Sequence, residues 1–372
     1  MSVLKTEEMI LNMGPQHPST HGVLRLELEL DGELIIDVKP HVGYLHRCFE
    51  KHCEALTYPQ IVPYVDRMDY LAAMYNEFGY AVTVERMLGI QVPERVEYIR
   101  VIMGEFQRIA SHLVAVGTYG LDIGAFTPFL YCFRDRERIL SLFEMTCGAR
   151  LLYNYIWVGG LSHDLHPDFL RLAKEFLPDF KNTLSELNNL LSYNKIFTER
   201  TANVGVLPLD TAINYGVTGP NLRASGLKWD LRKDDPYSIY DKFDFDIPVG
   251  QGWYGTVGDC WDRYYLRVLE MEQSVKILEQ ALVQIPDGNI SEAIPKRIKP
   301  PEGQIYTRVE NPRGELGYFI VSKGGLQPHR VKVHAPSFIH LGLLGELCKG
   351  HFVADVIAIL GSIDIVLGEV DR

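Results

Sequence analysis

One periodic stretch constrains most of what this chain can become. After Pro93-Glu94, apolar side chains return every three or four residues, at Val96, Ile99, Met103, Phe106, Ile109 and Leu113. That spacing, opened by a proline whose fixed φ suits a first helical turn, predicts a helix running to about Gly117, with Thr118 to Asp122 closing its end. Further helices are expected over 66–88, 134–158, 167–191 and 259–285. The middle of the chain therefore reads as a helical bundle.

The two ends read differently. Leu24, Leu26, Leu28 and Leu30 alternate with Arg25, Glu27 and Glu29, a period of two that marks a strand with one buried face. Asp31-Gly32 supplies a hairpin turn, and residues 34–38 return as the partner strand. A shorter strand spans 9–13, and the loop 14–22 between them holds two prolines and two glycines, which exclude regular structure. Near the other end, 305–310 and 317–322 form a hairpin across Asn311-Pro312-Arg313-Gly314, followed by short helices after Pro336. The expected fold class is α+β, predominantly α: a central helical bundle with small antiparallel sheets from the N- and C-terminal parts. Three regions of one integrated unit follow, 1–60, 61–285 and 286–372.

Composition removes several functions. A formal net charge of −11 disfavours nucleic acid as a partner, since phosphate needs a basic footprint. No apolar run reaches the roughly 18 residues that a membrane span requires; the nearest, 353–366, is broken by Asp355 and Asp364. The amino terminus lacks a signal peptide's apolar stretch, so the chain is expected to stay in the compartment where it is made. The 6 cysteines form no Cys-x-x-Cys pair, which disfavours a metal or iron–sulfur cluster bound by this chain.

Polar groups concentrate in four places. His17 and His21 lie in the Pro/Gly loop, where a scaffold of strands can fix a functional side chain, although a solvated turn has the same composition. Asp66 to Tyr70 is expected at a helix start, with Asp66 as a capping acid and Tyr70 on one face with Arg67. Asp122 ends the long helix, where the dipole disfavours a carboxylate and a partner is expected; a histidine is a natural one. Residues 43–50 form a fourth polar string, including His46, Arg47 and Cys48. On spacing alone none of these is specific.

Longer motifs are. GPQHPSTHGVLRL at 14–26, GYLHR and EK within 43–51, DRMDY at 66–70, RIASHL at 108–113 and DIGA at 122–125 resemble, in order and spacing, the D-type, quinone-site subunit of respiratory complex I. FRDRE at 133–137, GPNLRASG at 219–226, DLRK and PY within 230–237, GDCWDRY at 258–264, NPRGELGYF at 311–319 and the terminal LGEVDR continue the match over essentially the whole chain. The family is similar in turn to the large subunit of nickel–iron hydrogenases, whose two metal-binding cysteine pairs are absent here. Cys48 departs from the glycine common at its position in the family.

The resemblance implies a hydrogenase-large-subunit-like fold and a quinone site in the former metal cavity. It assigns His21 and Tyr70 as hydrogen-bond partners of the quinone headgroup, Asp122 as the partner of His21, Thr118 and Phe129 to the chamber lining, and Arg47 to the neighbourhood of a partner's terminal cluster. The substrate is then ubiquinone or menaquinone. FMN and the iron–sulfur clusters sit on other subunits. The B- and C-type subunits of the peripheral arm and the H-type subunit of the membrane arm are the implied neighbours, on the cytoplasmic side of a bacterial inner membrane.

Quinone reduction takes two electrons and two protons. Tyr and His, with ordinary pKa values of roughly 10 and 6.5, are suitable proton donors near neutrality. A close carboxylate such as Asp122 favours the charged imidazolium. The implied activity is that of a proton-translocating NADH:quinone oxidoreductase, active only within the complex. The competing readings are a ferredoxin- or F420-linked relative and a non-catalytic scaffold subunit.

Overall fold

A computed structural model describes residues 8–20, 22–295 and 297–372. Three strands open it: β1 (Glu8–Met13), β2 (Arg25–Asp31) and β3 (Leu34–His41), antiparallel in that order. Leu24, Leu26, Leu28 and Leu30 are buried while Arg25, Glu27 and Glu29 are half-buried opposite them, so the period-two pattern places its core face as expected.

Of the expected helix over 66–88, only 73–88 is helical. Helix α1 (Tyr58–Val65) ends at Asp66, and α2 (Ala73–Leu88) begins only after a turn. The turn has a local cause. Asp69 Oδ1 accepts from the Leu71 amide at 3.1 Å and the Asp69 carbonyl accepts from Asn76 Nδ2 at 3.0 Å, bonds that compete with helix propagation. Asp66 is therefore a helix C-terminal residue, not an N-terminal cap.

The long helix α3 (Glu94–Asp122) extends through Asp122. All six periodic apolar residues are buried, yet so are Arg100, Glu105, Arg108 and His112 from its other faces. The helix is thus wrapped on every side, and its polar residues meet an internal network rather than water. Helix α4 (Phe126–Cys147) packs along α3. It starts earlier than the expected 134, and it ends before 158 because Gly148, at φ 76, caps it in the left-handed conformation. Residues beyond it form a short hairpin, Ile156–Trp157 with Gly160–Leu161. Helices α5 (Phe169–Leu187) and α6 (Cys260–Gln284) complete the bundle, and a π-helical turn, Asn188–Ser192, prolongs α5.

A second antiparallel sheet, β4 (Gly303–Asn311), β5 (Gly314–Ser322) and β6 (Arg330–His334), lies against α2. The register Asn311↔Gly314 confirms the expected tight turn, whereas β6 is a strand beyond the expected pair. The chain closes with α7 (Val353–Ile363) and α8 (Leu367–Asp371). No helix among the described residues is long and apolar enough to cross a membrane.

Candidate functional site

The last turn of the chain gathers segments that are far apart in sequence. The Asp371 carboxylate accepts from the amides of Gly43 at 2.8 Å and Leu45 at 2.7 Å, and its carbonyl lies 2.7 Å from His46 Nδ1. One turn earlier, Gly368 lies so close to the 66–70 turn that a Cβ would stand 2.3 Å from the Met68 carbonyl oxygen. Only glycine permits that approach. Gly22, at the end of the Pro/Gly loop, abuts Leu367: a Cβ there would be 3.1 Å from Leu367 Cδ1. Arg47 Nη2 donates to the Arg67 carbonyl at 2.5 Å, joining the 43–48 segment to the turn. Helix α8 is thus a clasp holding three of the four expected polar places together. His21 itself lies outside the described residues.

Tyr70 sits on the clasped turn, 36% exposed. Burial raises its phenol above the ordinary value, with Arg313 opposing, so the hydroxyl stays protonated through neutral pH. Behind the turn, Asp69 is fully buried. Arg313 Nη1 donates to Asp69 at 2.8 Å and to Ser111 Oγ at 3.0 Å, and its Nη2 donates to Asp364 at 3.3 Å. Burial works against the Arg313 charge, but Asp364 and Asp69 outweigh it. Arg267 Nε lies 3.6 Å from Asp364 Oδ2, while its Nη groups donate to the Arg263 and Ser362 carbonyls and to Asn221.

The remaining expected residues stand on the α3–α4 end. A Cβ on Gly361 of α7 would lie 2.7 Å from the Tyr119 ring and 3.4 Å from Asp122 Oδ2, so the end of α3 is pressed against α7. Thr118 is half-buried and its hydroxyl donates back to the Val114 carbonyl at 2.7 Å. Phe129 is half-buried, with its ring centroid 4.3 Å from that of Phe133. Helix α7 and the Asp364 that follows it bridge these residues to Arg313 and hence to Tyr70.

Sequence reasoning missed the buried charge. A second cluster lies deeper: Arg223 donates to Glu270 at 2.6 Å and to Glu310 at 2.8 Å, and Arg232 pairs with Asp230 at 2.7 Å and Glu105 at 3.3 Å. The available signal was that Asp69, Arg223, Asp230, Arg232 and Arg313 all fall inside the long motifs. A third feature anchors the turn from its other end. Asp66 and Glu77 are both buried and within hydrogen-bond reach, while Asp66 Oδ1 and Glu77 Oε1 have no donor. Burial first, and then the facing carboxyl, pushes Glu77 well above the usual range. One shared proton satisfies both oxygens.

No group of three or more His, Cys, Asp and Glu able to hold a metal occurs among the described residues. Cys48 is exposed, at φ 54, with its Sγ 3.5 Å from His46 Nε2. The left-handed backbone there suits glycine better than cysteine.

A profile of the family described as "Respiratory-chain NADH dehydrogenase, 49 Kd subunit" matches residues 122–300 and 291–372. The D subunit of the NADH-quinone oxidoreductase of Chlorobaculum tepidum is 58% identical over 99% of this chain and 93% of its own length. The corresponding D 1 subunit of Cytophaga hutchinsonii is 59% identical over 99% of this chain and 97% of its own. The D subunit of Chlorobium luteolum is 56% identical, over 99% and 94%.

Proposed function

The chain belongs to the 49 Kd subunit family of respiratory-chain NADH dehydrogenases, and from that premise we propose that its clasped turn and loops form one wall of the chamber in which the assembled NADH:quinone oxidoreductase reduces quinone. Tyr70 and His21 are the headgroup's hydrogen-bond donors, Asp122 orients and charges His21, Thr118 and Phe129 line the chamber, and Arg47 lies toward the terminal cluster of the B-type subunit. Electrons arrive from that partner cluster. This chain supplies position and protons. Regions 1–60, 61–285 and 286–372 act as one unit because α8 ties the first and last to the turn that bears Tyr70. The B-, C- and H-type subunits are its neighbours, and the complex lies at the bacterial inner membrane with this chain peripheral on the cytoplasmic side. Ubiquinone and menaquinone both suit donors that address only the headgroup oxygens.

The carrying observation is Tyr70: a half-exposed hydroxyl, held protonated, on a turn fixed from behind by Asp69, Arg313 and Gly368. Donors fixed before the reaction stabilise charge developing on the quinone oxygens without reorganising. Tyr70→Phe keeps the ring and deletes the donor. In an assembled complex it is expected to lower quinone turnover on the order of a hundredfold while cluster reduction by NADH persists. Unchanged turnover and quinone affinity would remove Tyr70 from the chemistry and favour the scaffold reading. Assaying the purified complex with NADH and with ferredoxin separates the respiratory reading from its electron-donor variant.

A further inference from the structure

Glu369 is a buried carboxyl with no ion-pair partner among the described residues. It is wholly buried on α8, one residue after the glycine that touches the Tyr70 turn. Its Oε1 accepts from the Ser337 amide at 3.0 Å and its Oε2 has no hydrogen-bond partner. No Lys, Arg or His nitrogen lies within 4.0 Å of it among the described residues, and the nearby Arg313 is already engaged by Asp69 and Asp364. Asp69 and Asp364 thus share Arg313, which leaves Glu369 without an ion pair of its own among the described residues. A buried carboxylate without an ion pair is costly, so burial favours the protonated form of Glu369. Burial, then repulsion from Asp69, raises Glu369 to about 8 against the pull of Arg313 and Ser337.

Resting on the quinone-chamber reading, we propose that Glu369 is a positioning residue whose neutral form leaves the charge of Arg313 free to ease the proton off Tyr70. Arg313 is the common element, since its field acts on both groups and lowers the hold of Tyr70 on its proton. When Glu369 ionises, its charge offsets that field. The phenol then holds its proton more tightly, and donation to the reduced quinone slows. The proton passes from the Tyr70 oxygen to a quinone oxygen that has received electrons from the partner cluster; Glu369 only sets how readily it leaves.

Other titratable or charged groups stand on the surrounding elements. His340, on the helix Pro336–Gly342, is lowered to about 3, mainly by burial. Tyr318 on β5 is raised well above its usual value by burial. Asp69 and Asp364 are paired with Arg313, although burial still raises Asp69 against that pull, and Asp371 and Arg372 follow on the same terminal segment, engaged by the 43–45 amides and the Val333 carbonyl.

The test is quinone turnover of the assembled complex from pH 6 to 10, native against Glu369→Gln, with Tyr70→Phe alongside. The native enzyme is expected to lose rate as pH rises through about 8 and to level off at a lower rate, since ionised Glu369 slows donation from Tyr70 without abolishing it. Glu369→Gln, fixed in the neutral form, is expected to keep the pH 7 rate and lose that alkaline limb. An unshifted limb in Glu369→Gln overturns the proposal. If Tyr70→Phe also turns over normally, the chamber reading itself has failed; if Tyr70→Phe is inactive, only the role of Glu369 has. Should Glu369→Gln not assemble, infrared spectra of native complex labelled with 13C-glutamate decide. Because Glu77 is raised as well, the band is read in native complex against Glu369→Asp: a protonated 13C-glutamate band at pH 7 that fades through about pH 8 and is missing in Glu369→Asp supports the proposal, and a set of bands that Glu369→Asp leaves unchanged overturns it.

Discussion

The charge cluster around Arg223 and the one behind Tyr70 differ in how completely their carboxylates are served. In the deeper one every carboxylate oxygen has a donor. Glu105 receives Tyr75 and Tyr240 at 2.8 Å each and Ser274 at 2.6 Å, and Glu270 receives Arg223 twice and His112 at 3.0 Å. Burial alone would push Glu270 up, yet Arg223 and His112 overcome it and hold the carboxyl far below the usual range. In the cluster behind Tyr70, Glu369 is left short of both donor and cation. The same burial therefore ends with Glu270 lowered and Glu369 raised, although Glu310 in the deeper cluster is also raised, by burial and then by Asp230. The saturated cluster cements the bundle; the unsaturated one leaves a proton that can respond to conditions.

Removing a cation from the saturated cluster should produce the largest effect. Arg223→Met fills similar volume but strands Glu270 and Glu310 and orphans the Trp229 carbonyl, which now accepts at 2.9 Å. The expected loss is about 3–5 kcal/mol, measured by urea unfolding of the purified chain. A loss under about 1 kcal/mol would show that donor saturation does not distinguish the two clusters in stability.

Much of the fold could be read from periodicity, because Leu24 to Leu30 and Val96 to Leu113 bury the faces their spacing implies. The break at 66–72 could not, since it depends on Asp69 bonding to the Leu71 amide, a contact that side-chain pattern does not encode. Charge misled most. Arg100, Arg108 and Arg223 carry the residue type that usually marks solvent, and only their partners, up to 202 residues away for Arg108, make burial tolerable. Of the site, the motifs located the turn, the 43–48 string and the end of α3. They gave no hint that α8 clasps them, because Gly368 acts through the absence of a side chain.

A smaller effect separates a proton held for structure from the one proposed on Glu369. The Asp66–Glu77 pair needs its shared proton to pin the turn to the 154–156 backbone, where Asn154, Tyr155 and Ile156 donate to it. For an acid raised on folding, the stabilisation is complete below the ordinary value of about 4.3 and is lost as pH rises through the raised one. Stability of the native chain should therefore fall toward alkaline pH, by at most about 1.4 kcal/mol per pH unit for one proton. Glu77→Gln keeps an acceptor for the amides and gives Asp66 a permanent donor. Urea midpoints across pH should flatten in this variant; an unchanged slope would mean that no proton is shared.

The smallest expected effect isolates burial as the variable behind the comparison. Lys181 on α5 and Glu279 on α6 approach to 2.6 Å, the same separation as Arg223 and Glu270, but their side chains are 51% and 45% exposed rather than 0%. Water screens the pair, and ordering two long side chains opposes it. A double-mutant cycle with Lys181→Ala and Glu279→Ala should give a coupling of about 0.2–1 kcal/mol, shrinking as salt is added. If distance alone set the strength of these pairs, this coupling would match the loss in Arg223→Met. A salt-insensitive coupling of several kcal/mol here would break the contrast between buried and exposed charge on which the reading of both clusters depends.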